Sequence, residues 1–250
     1  MLFIKGLTAS KLAYGQAFLK MSQDIDVLVP GDAIAAAAAQ LERLGYQLVI
    51  PAVPPQSAQF ERWHLKRKES VWRSPDGLPL ELHSRLADNP DLIPDIGVNS
   101  PRQLVEVAPR IALPTLASDE LFTYLCVHGA SSAWFRLKWI TDLAALLHDR
   151  TAEEIERLYD RSQELGAGRA AAQALLLANR VYGTPVMRKL KRKPVHRWLA
   201  AAAWKQMLRE DEPTAVRFGT ATIHYTQLFL RPGILFHLRE LWRQLEEIAA

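Results

Sequence analysis

Five of the fifteen prolines in this 250-residue chain fall between residues 90 and 114: Pro90, Pro94, Pro101, Pro109 and Pro114. Each lacks a backbone donor and locks φ, so no long helix runs through that stretch. It divides the chain into two halves of different character. Ahead of it, short apolar runs alternate with turn signals. Behind it, from Ser118 onward, the chain reads as helical.

In the front half, Leu2–Ile4 is an apolar run ending at Lys5-Gly6, a strand followed by a turn. Residues 7–19 are mixed and helical in part. Ile25–Val29 is a strand closed by Pro30-Gly31. Asp32 is placed to cap a helix over Ala33–Leu44, with Gly45 as its C-terminal stop. Tyr46–Ile50 returns as a strand. Residues 60–73 alternate β-prone types, Ser74-Pro75-Asp76-Gly77 is a turn, and Leu78–His83 returns, which predicts a hairpin over 60–84. In the back half, Ser118 with Asp119-Glu120 opens a helix to about His128-Gly129. Further helices are expected near 133–148, 152–165, 168–182, 195–209 and 233–248. The expected fold is α+β: a small mixed sheet with helices over residues 1–115, then an all-α region over 116–250.

The segment richest in chemistry is Asp24-Ile25-Asp26-Val27-Leu28-Val29. In a strand, positions i and i+2 share a face. Asp24 and Asp26 therefore stand side by side, while Ile25 and Val27 point into a core. Adjacent like charges at a buried strand are costly unless something neutralises them. A hard divalent cation, Mg²⁺ or Mn²⁺, does so through carboxylate oxygens. A bare D-x-D also fits two solvated acids at a strand end. A third carboxylate, Glu81, lies inside the later strand Pro79–His83, where it shares a face with His83.

Composition limits the alternatives. With 49% apolar and 23% charged residues, the chain has material for a packed core, which excludes global disorder. The formal charge of +4 is mild and fits an anionic partner such as a nucleotide without demanding nucleic acid. The one cysteine, Cys126, allows no internal disulfide, and no apolar stretch is long enough to span a bilayer, so the expected compartment is the cytoplasm. No Cys or His spacing suggests a zinc site.

Lys5-Gly6, Lys20 ahead of Asp24-Ile25-Asp26-Val27-Leu28-Val29, Leu44-Gly45-Tyr46 and Glu81-Leu82-His83 together resemble an uncharacterised bacterial nucleotidyltransferase family of the DNA polymerase β-like superfamily. The resemblance continues through Leu125-Cys126-Val127-His128-Gly129, Trp134, Arg136-Leu137-Lys138-Trp139-Ile140, Asp142-Leu143 and Phe229-Leu230-Arg231-Pro232. It implies metal-dependent transfer of a nucleotidyl group from an NTP, ATP among them, to an acceptor such as a small molecule, peptide or sugar. It implies that Asp24, Asp26 and Glu81 are the catalytic carboxylates and ligate Mg²⁺ or Mn²⁺. It further implies that the Gly6 turn admits backbone amides to the nucleotide phosphates, with Lys5 and Lys20 adding charge. The chain departs from the pattern in places. Lys5-Gly6-Leu7 stands where the superfamily usually has Gly-Ser, Lys20 where the family usually has Arg, and Ser84 where it often has Trp. The chain also begins shortly before a turn that a helical region precedes in most members.

Several signals have a functional and an ordinary reading. Arg136 and Lys138 are candidates to contact the triphosphate, with Asp142 near the acceptor. Lys138 and Asp142 equally fit an i,i+4 ion pair. His128 serves either the site or the terminal carbonyls of its helix. Arg188–Lys193, with Arg197, is a basic run whose favoured reading is a solvated connector rather than an RNA or membrane contact. Residues 234–248 read as an amphipathic helix docked on its own domain. Two functions outside catalysis remain alternatives: a nucleotide-binding module of the same fold, and a module holding an anionic polymer through residues 188–197.

Overall fold

The computed structural model describes residues 1–20, 22, 24–211, 213 and 219–249, the last three by backbone alone. The chain divides into two compact units, one of Met1–Pro90 with Asp95–Leu121, the other of Asp91–Pro94 with Phe122–Ala250.

The first unit is built on a five-stranded mixed sheet in the order β1-β2-β5-β4-β3. Its strands are β1 (Leu2–Phe3), β2 (Ile25–Leu28), β3 (Gln47–Ile50), β4 (Glu69–Arg73) and β5 (Pro79–His83). Only β2 and β5 run parallel, and their register sets Asp26 opposite Glu81 and Leu28 opposite His83. Alternation then sorts the sheet's two faces. Val27, Leu80, Leu82 and Trp72 turn to one side, where they pack with Ile34, Ala38 and Leu41 of α2 (Ile34–Arg43) and Phe60 of α3 (Ala58–Lys66). That apolar face fixes the sheet, and it leaves Asp26, Glu81 and His83 on the other side. A separate hairpin, β6 (Arg102–Ala108) with β7 (Ile111–Leu116), packs beside α1 (Leu7–Tyr14) around Val105, Val107 and Ala17.

Two local expectations are revised here. Residues 58–66 form helix α3, not the first arm of a hairpin. The hairpin is β4 with β5 alone. Phe60 and His64 recur at i,i+4, and Ser57 Oγ accepts from the Phe60 amide at 3.2 Å, so burial of one helical face outweighs the alternating β-prone types. The proline-rich stretch contains β6 and β7. Pro114 sits inside β7, an edge position where a missing donor is tolerated. Asp32 does not cap α2 through its side chain; it lies in a tight 3₁₀ turn over Gly31–Ala33.

The second unit is helical: α4 (Ser118–Ser131), α5 (Leu137–Leu146), α6 (Ala152–Glu164), α7 (Gly168–Tyr182), α8 (Arg188–Arg192), α9 (Pro194–Met207), α10 (Ala221–Gln227) and α11 (Ile234–Ala249). α7 is its axis. Its alanines at 170, 171, 172, 174 and 178 are buried and let α5, α6 and α9 approach closely. Gln173 stitches this core, donating to Leu199 O at 2.8 Å and accepting from Trp134 Nε1 at 3.2 Å. α6 opens with a reciprocal cap between Thr151 and Glu154. α11 is turned the opposite way from expectation. Phe236, Glu240 and Gln244 face inward, while Leu235, Leu238, Leu241, Trp242 and Leu245 are exposed. The inward polar groups are satisfied by one another: Gln244 Nε2 and Arg243 Nη2 both donate to Glu240, at 2.9 and 2.7 Å. No helix among the described residues is long and apolar enough to cross a membrane.

Candidate metal and nucleotide site

The site grows from the pairing of β2 with β5. Asp26 and Glu81 are Cα partners, and His83 lies two residues on along the same face as Glu81. Ligand atoms of Asp26, Glu81 and His83 all lie within 4.8 Å of one another. Asp26 is 3% exposed and His83 1%, so these groups meet away from bulk water.

Their charges are arranged to hold one another. Lys5 Nζ is 2.6 Å from Asp26 Oδ1 and 4.0 Å from Glu81 Oε2. His83 Nε2 is 3.2 Å from Asp26 Oδ1 and 3.3 Å from Glu81 Oε2. The other ring nitrogen, Nδ1, faces Glu69 Oε2 at 3.3 Å without hydrogen-bond geometry. Burial resists ionisation of Asp26, yet the bond from His83 and the Lys5 ammonium outweigh it and hold the carboxyl well below the usual range. Glu81 goes the other way: burial, and the charges of Glu69 and Asp26, raise it despite the His83 bond. Burial pulls His83 down, but hydrogen bonds to Asp26 and Glu81 and the charge of Glu69 leave it raised. The arrangement concentrates negative charge and offers two carboxylates and an imidazole at one point, a donor set that suits a divalent cation.

The β1–α1 connection, which carries Lys5 and Gly6, runs beside this cluster. Gly6 has φ of +65° and precedes the first residue of α1, whose leading amides have no side-chain cap. A Cβ at this position would lie 3.2 Å from Ser22 Oγ and 3.8 Å from Asp24 O, so the turn is pressed against the chain entering β2. Ser22 Oγ donates to Asp24 O at 2.8 Å and lies 3.4 Å from Asp24 Oδ1.

The candidates read from the chain thus separate. Asp26, Glu81 and Lys5 converge, with Gly6 beside the entry to β2. Asp24, two residues before Asp26, is outside the set of three ligand atoms. Lys20 lies in the α1–β2 connection, where its amide donates to Ser10 Oγ at 3.2 Å. Arg136 and Lys138 belong to the second unit. There Arg136 lies over the rings of Phe135 and Trp139 at 5.2 and 5.8 Å, and Lys138 is exposed at the start of α5. His128 sits in the last turn of α4, its ring 5.0 Å from that of Trp139. His83 was not among the candidates, although its i,i+2 spacing from Glu81 places it on the same face.

No protein of curated function matches the chain. A family described as "Uncharacterised nucleotidyltransferase" matches residues 1–183, which include the sheet, the carboxylate cluster and the helices through α7. The chain belongs to this uncharacterised nucleotidyltransferase family.

Proposed function

We propose that the protein transfers a nucleotidyl group from an NTP to an acceptor hydroxyl or phosphate, with Mg²⁺ or Mn²⁺, through residues 1–115 as the catalytic domain. The acceptor is a small molecule, peptide or sugar. The observation that carries this reading is the cluster of Asp26, Glu81 and His83 within 4.8 Å, beside the Gly6 turn and Lys5. Asp26 and Glu81 hold the ion, with Asp24 completing the carboxylate set from its position one alternation before Asp26. When bound, such an ion supplies positive charge to the phosphate oxygens of the reacting nucleotide.

The chain's own residues do the remaining work. Lys5, poised on Asp26, adds positive charge toward the triphosphate, and Lys20 of the same unit is assigned the same role. The uncapped amides that open α1 donate to phosphate oxygens at a helix start, where partial positive charge accumulates. Gly6 keeps that approach open. Glu81, raised toward protonation by its surroundings, is suited to take the acceptor's proton. Catalysis of this kind is mostly positioning and charge neutralisation.

The test is pyrophosphate release measured with Mg²⁺ or Mn²⁺ across a panel of acceptors. Asp26→Asn and Glu81→Gln should each lower it at least about a hundredfold, with folding checked by circular dichroism. Undiminished turnover in both variants rejects the assignment. One observation favours a second reading, a nucleotide-binding module that does not transfer. Lys5 Nζ lies 2.6 Å from Asp26 Oδ1, setting an ammonium against one of the carboxylates of the cluster. Calorimetry separates the two: NTP binding that is unaffected by chelation, without product, supports the module.

A further inference from the structure

Beyond residue 183, where the family match ends, the second unit contains a cleft of about 360 Å³ between α9 and α10. Trp198, Ala201, Ala202 and Lys205 recur along one face of α9, and Arg209 follows just past its last turn. The two alanines leave the room that larger side chains would fill. At one end Trp198 and Tyr225 stand edge to face, their centroids 5.5 Å apart and planes at 88°, and they remain 36% and 56% exposed. Lys205 lies about 10 Å further along the axis, at 1.5 Å per residue. Lys205 and Arg209 are both exposed, and neither forms an ion pair among the described residues. Between the two ends lies Gln206, only 3% exposed, with its Nε2 lacking any hydrogen-bond partner among the described residues. A buried donor without an acceptor is rare enough in a folded protein to call for a reason.

We infer that this groove is a second binding site, taking a ring-bearing anion. Its flat ring lies at the Trp198–Tyr225 end, an acceptor atom meets the Gln206 amide, and a phosphate or carboxylate group lies at Lys205 and Arg209. Each part of the groove selects one part of such a molecule. Aromatic side chains favour a ring by stacking or edge contact. The paired cations favour an acid group, and Arg209 can bind its oxygens two at a time. A bare inorganic anion leaves the aromatic end unused, and an apolar segment leaves the two cations unanswered. The inference uses no residue of the carboxylate cluster, so it stands or falls apart from the nucleotidyl-transfer reading.

The test follows the indole N–H resonance of Trp198 in the full chain, assigned with Trp198→Phe, in the presence of a chelator. Phenyl phosphate or phenylacetate should shift it saturably, and whichever binds more tightly identifies the acid group. Inorganic phosphate and phenol should each bind at least tenfold more weakly than the better of the two. Lys205→Glu with Arg209→Glu, or the milder pair of alanines, should raise Kd at least tenfold while the rest of the spectrum stays native. Asp26→Asn should leave Kd unchanged. The proposal is overturned if neither ring-bearing acid shifts the resonance saturably. Phosphate or phenol alone binding as well, or a Kd indifferent to loss of both cations in a folded variant, overturns it too.

Discussion

His83 shows what a single side chain does to the carboxylates around it. Without its bonds to Asp26 and Glu81, two acids would face each other across parallel strands at the cost that like charges carry in a buried place. With them, and with Lys5, Asp26 stays ionised while Glu81 is raised, so two chemically similar residues are pushed in opposite directions. Gly6 is the other residue on which the site depends. Its φ of +65° costs an L-residue about 1–2 kcal/mol, and an added Cβ would press Ser22 Oγ, which itself holds Asp24. Gly6→Ala should therefore lower the melting temperature by several degrees and weaken NTP binding together, read by thermal denaturation and calorimetry. A variant that lost stability yet bound NTP unchanged would remove Gly6 from the nucleotide site.

At the scale of elements, the second unit owes its shape to a close approach within one segment. Ala133 and Trp134 both have positive φ, 47° and 53°, and the Trp134 amide donates back to Gly129 O at 2.8 Å. This folds the indole onto α4 over Gly129, where a Cβ would lie 2.5 Å from the ring. The pattern Leu125–Gly129 followed by Trp134 thus records a packing requirement. Gly129→Ala should cost about 1–3 kcal/mol, the range for overfilling a packed core, seen as a lower urea midpoint with an unchanged slope. Adding Trp134→Leu should recover part of the loss, because the two changes meet at one contact. α3 teaches the converse. Its alternating β-prone types suggested a strand, but Phe60 and His64 lie one above the other on a helix, and their burial against the sheet decided the outcome.

For the molecule as a whole, the two units share a sensitivity to acid. His64 in the first unit is hydrogen-bonded to Ser70 and Ser84, at 3.0 and 3.3 Å, in a pattern that suits a neutral ring. Burial first, then the charges of Arg85 and His83, lower it to about 4. His196 in the second unit is lowered to about 4 by burial and by Lys193 and Arg169. Between pH 6.5 and about 4 the unfolded chain holds protons at both positions that the folded chain does not, so stability falls as pH drops through that window and levels off below it. Asp26 contributes a loss only below its ordinary value of 3.8, outside the same window, while Glu81, raised from 4.5, opposes the two histidines just above that value. Melting temperature against pH should therefore fall below 6.5, and His64→Gln should flatten that slope for the first unit. An unchanged slope in a folded His64→Gln variant would mean that His64 does not titrate in this way.

The chain order of short strands and turns ahead of the prolines, and of helices behind them, was legible from local rules, because periodicity and punctuation are properties of neighbouring residues. So was the pairing of Asp26 with Glu81 as candidates, since each sits on a strand with apolar neighbours pointing the other way. Local rules did not reach the parallel register that sets Asp26 opposite Glu81, the entry of His83 and Lys5 into that cluster, or the inward polar face of α11. Each of these depends on which distant segment arrives beside it. Burial area, buried charge and hydrogen-bond partners are decided between segments far apart in the chain, and their energies exceed the local preferences they override.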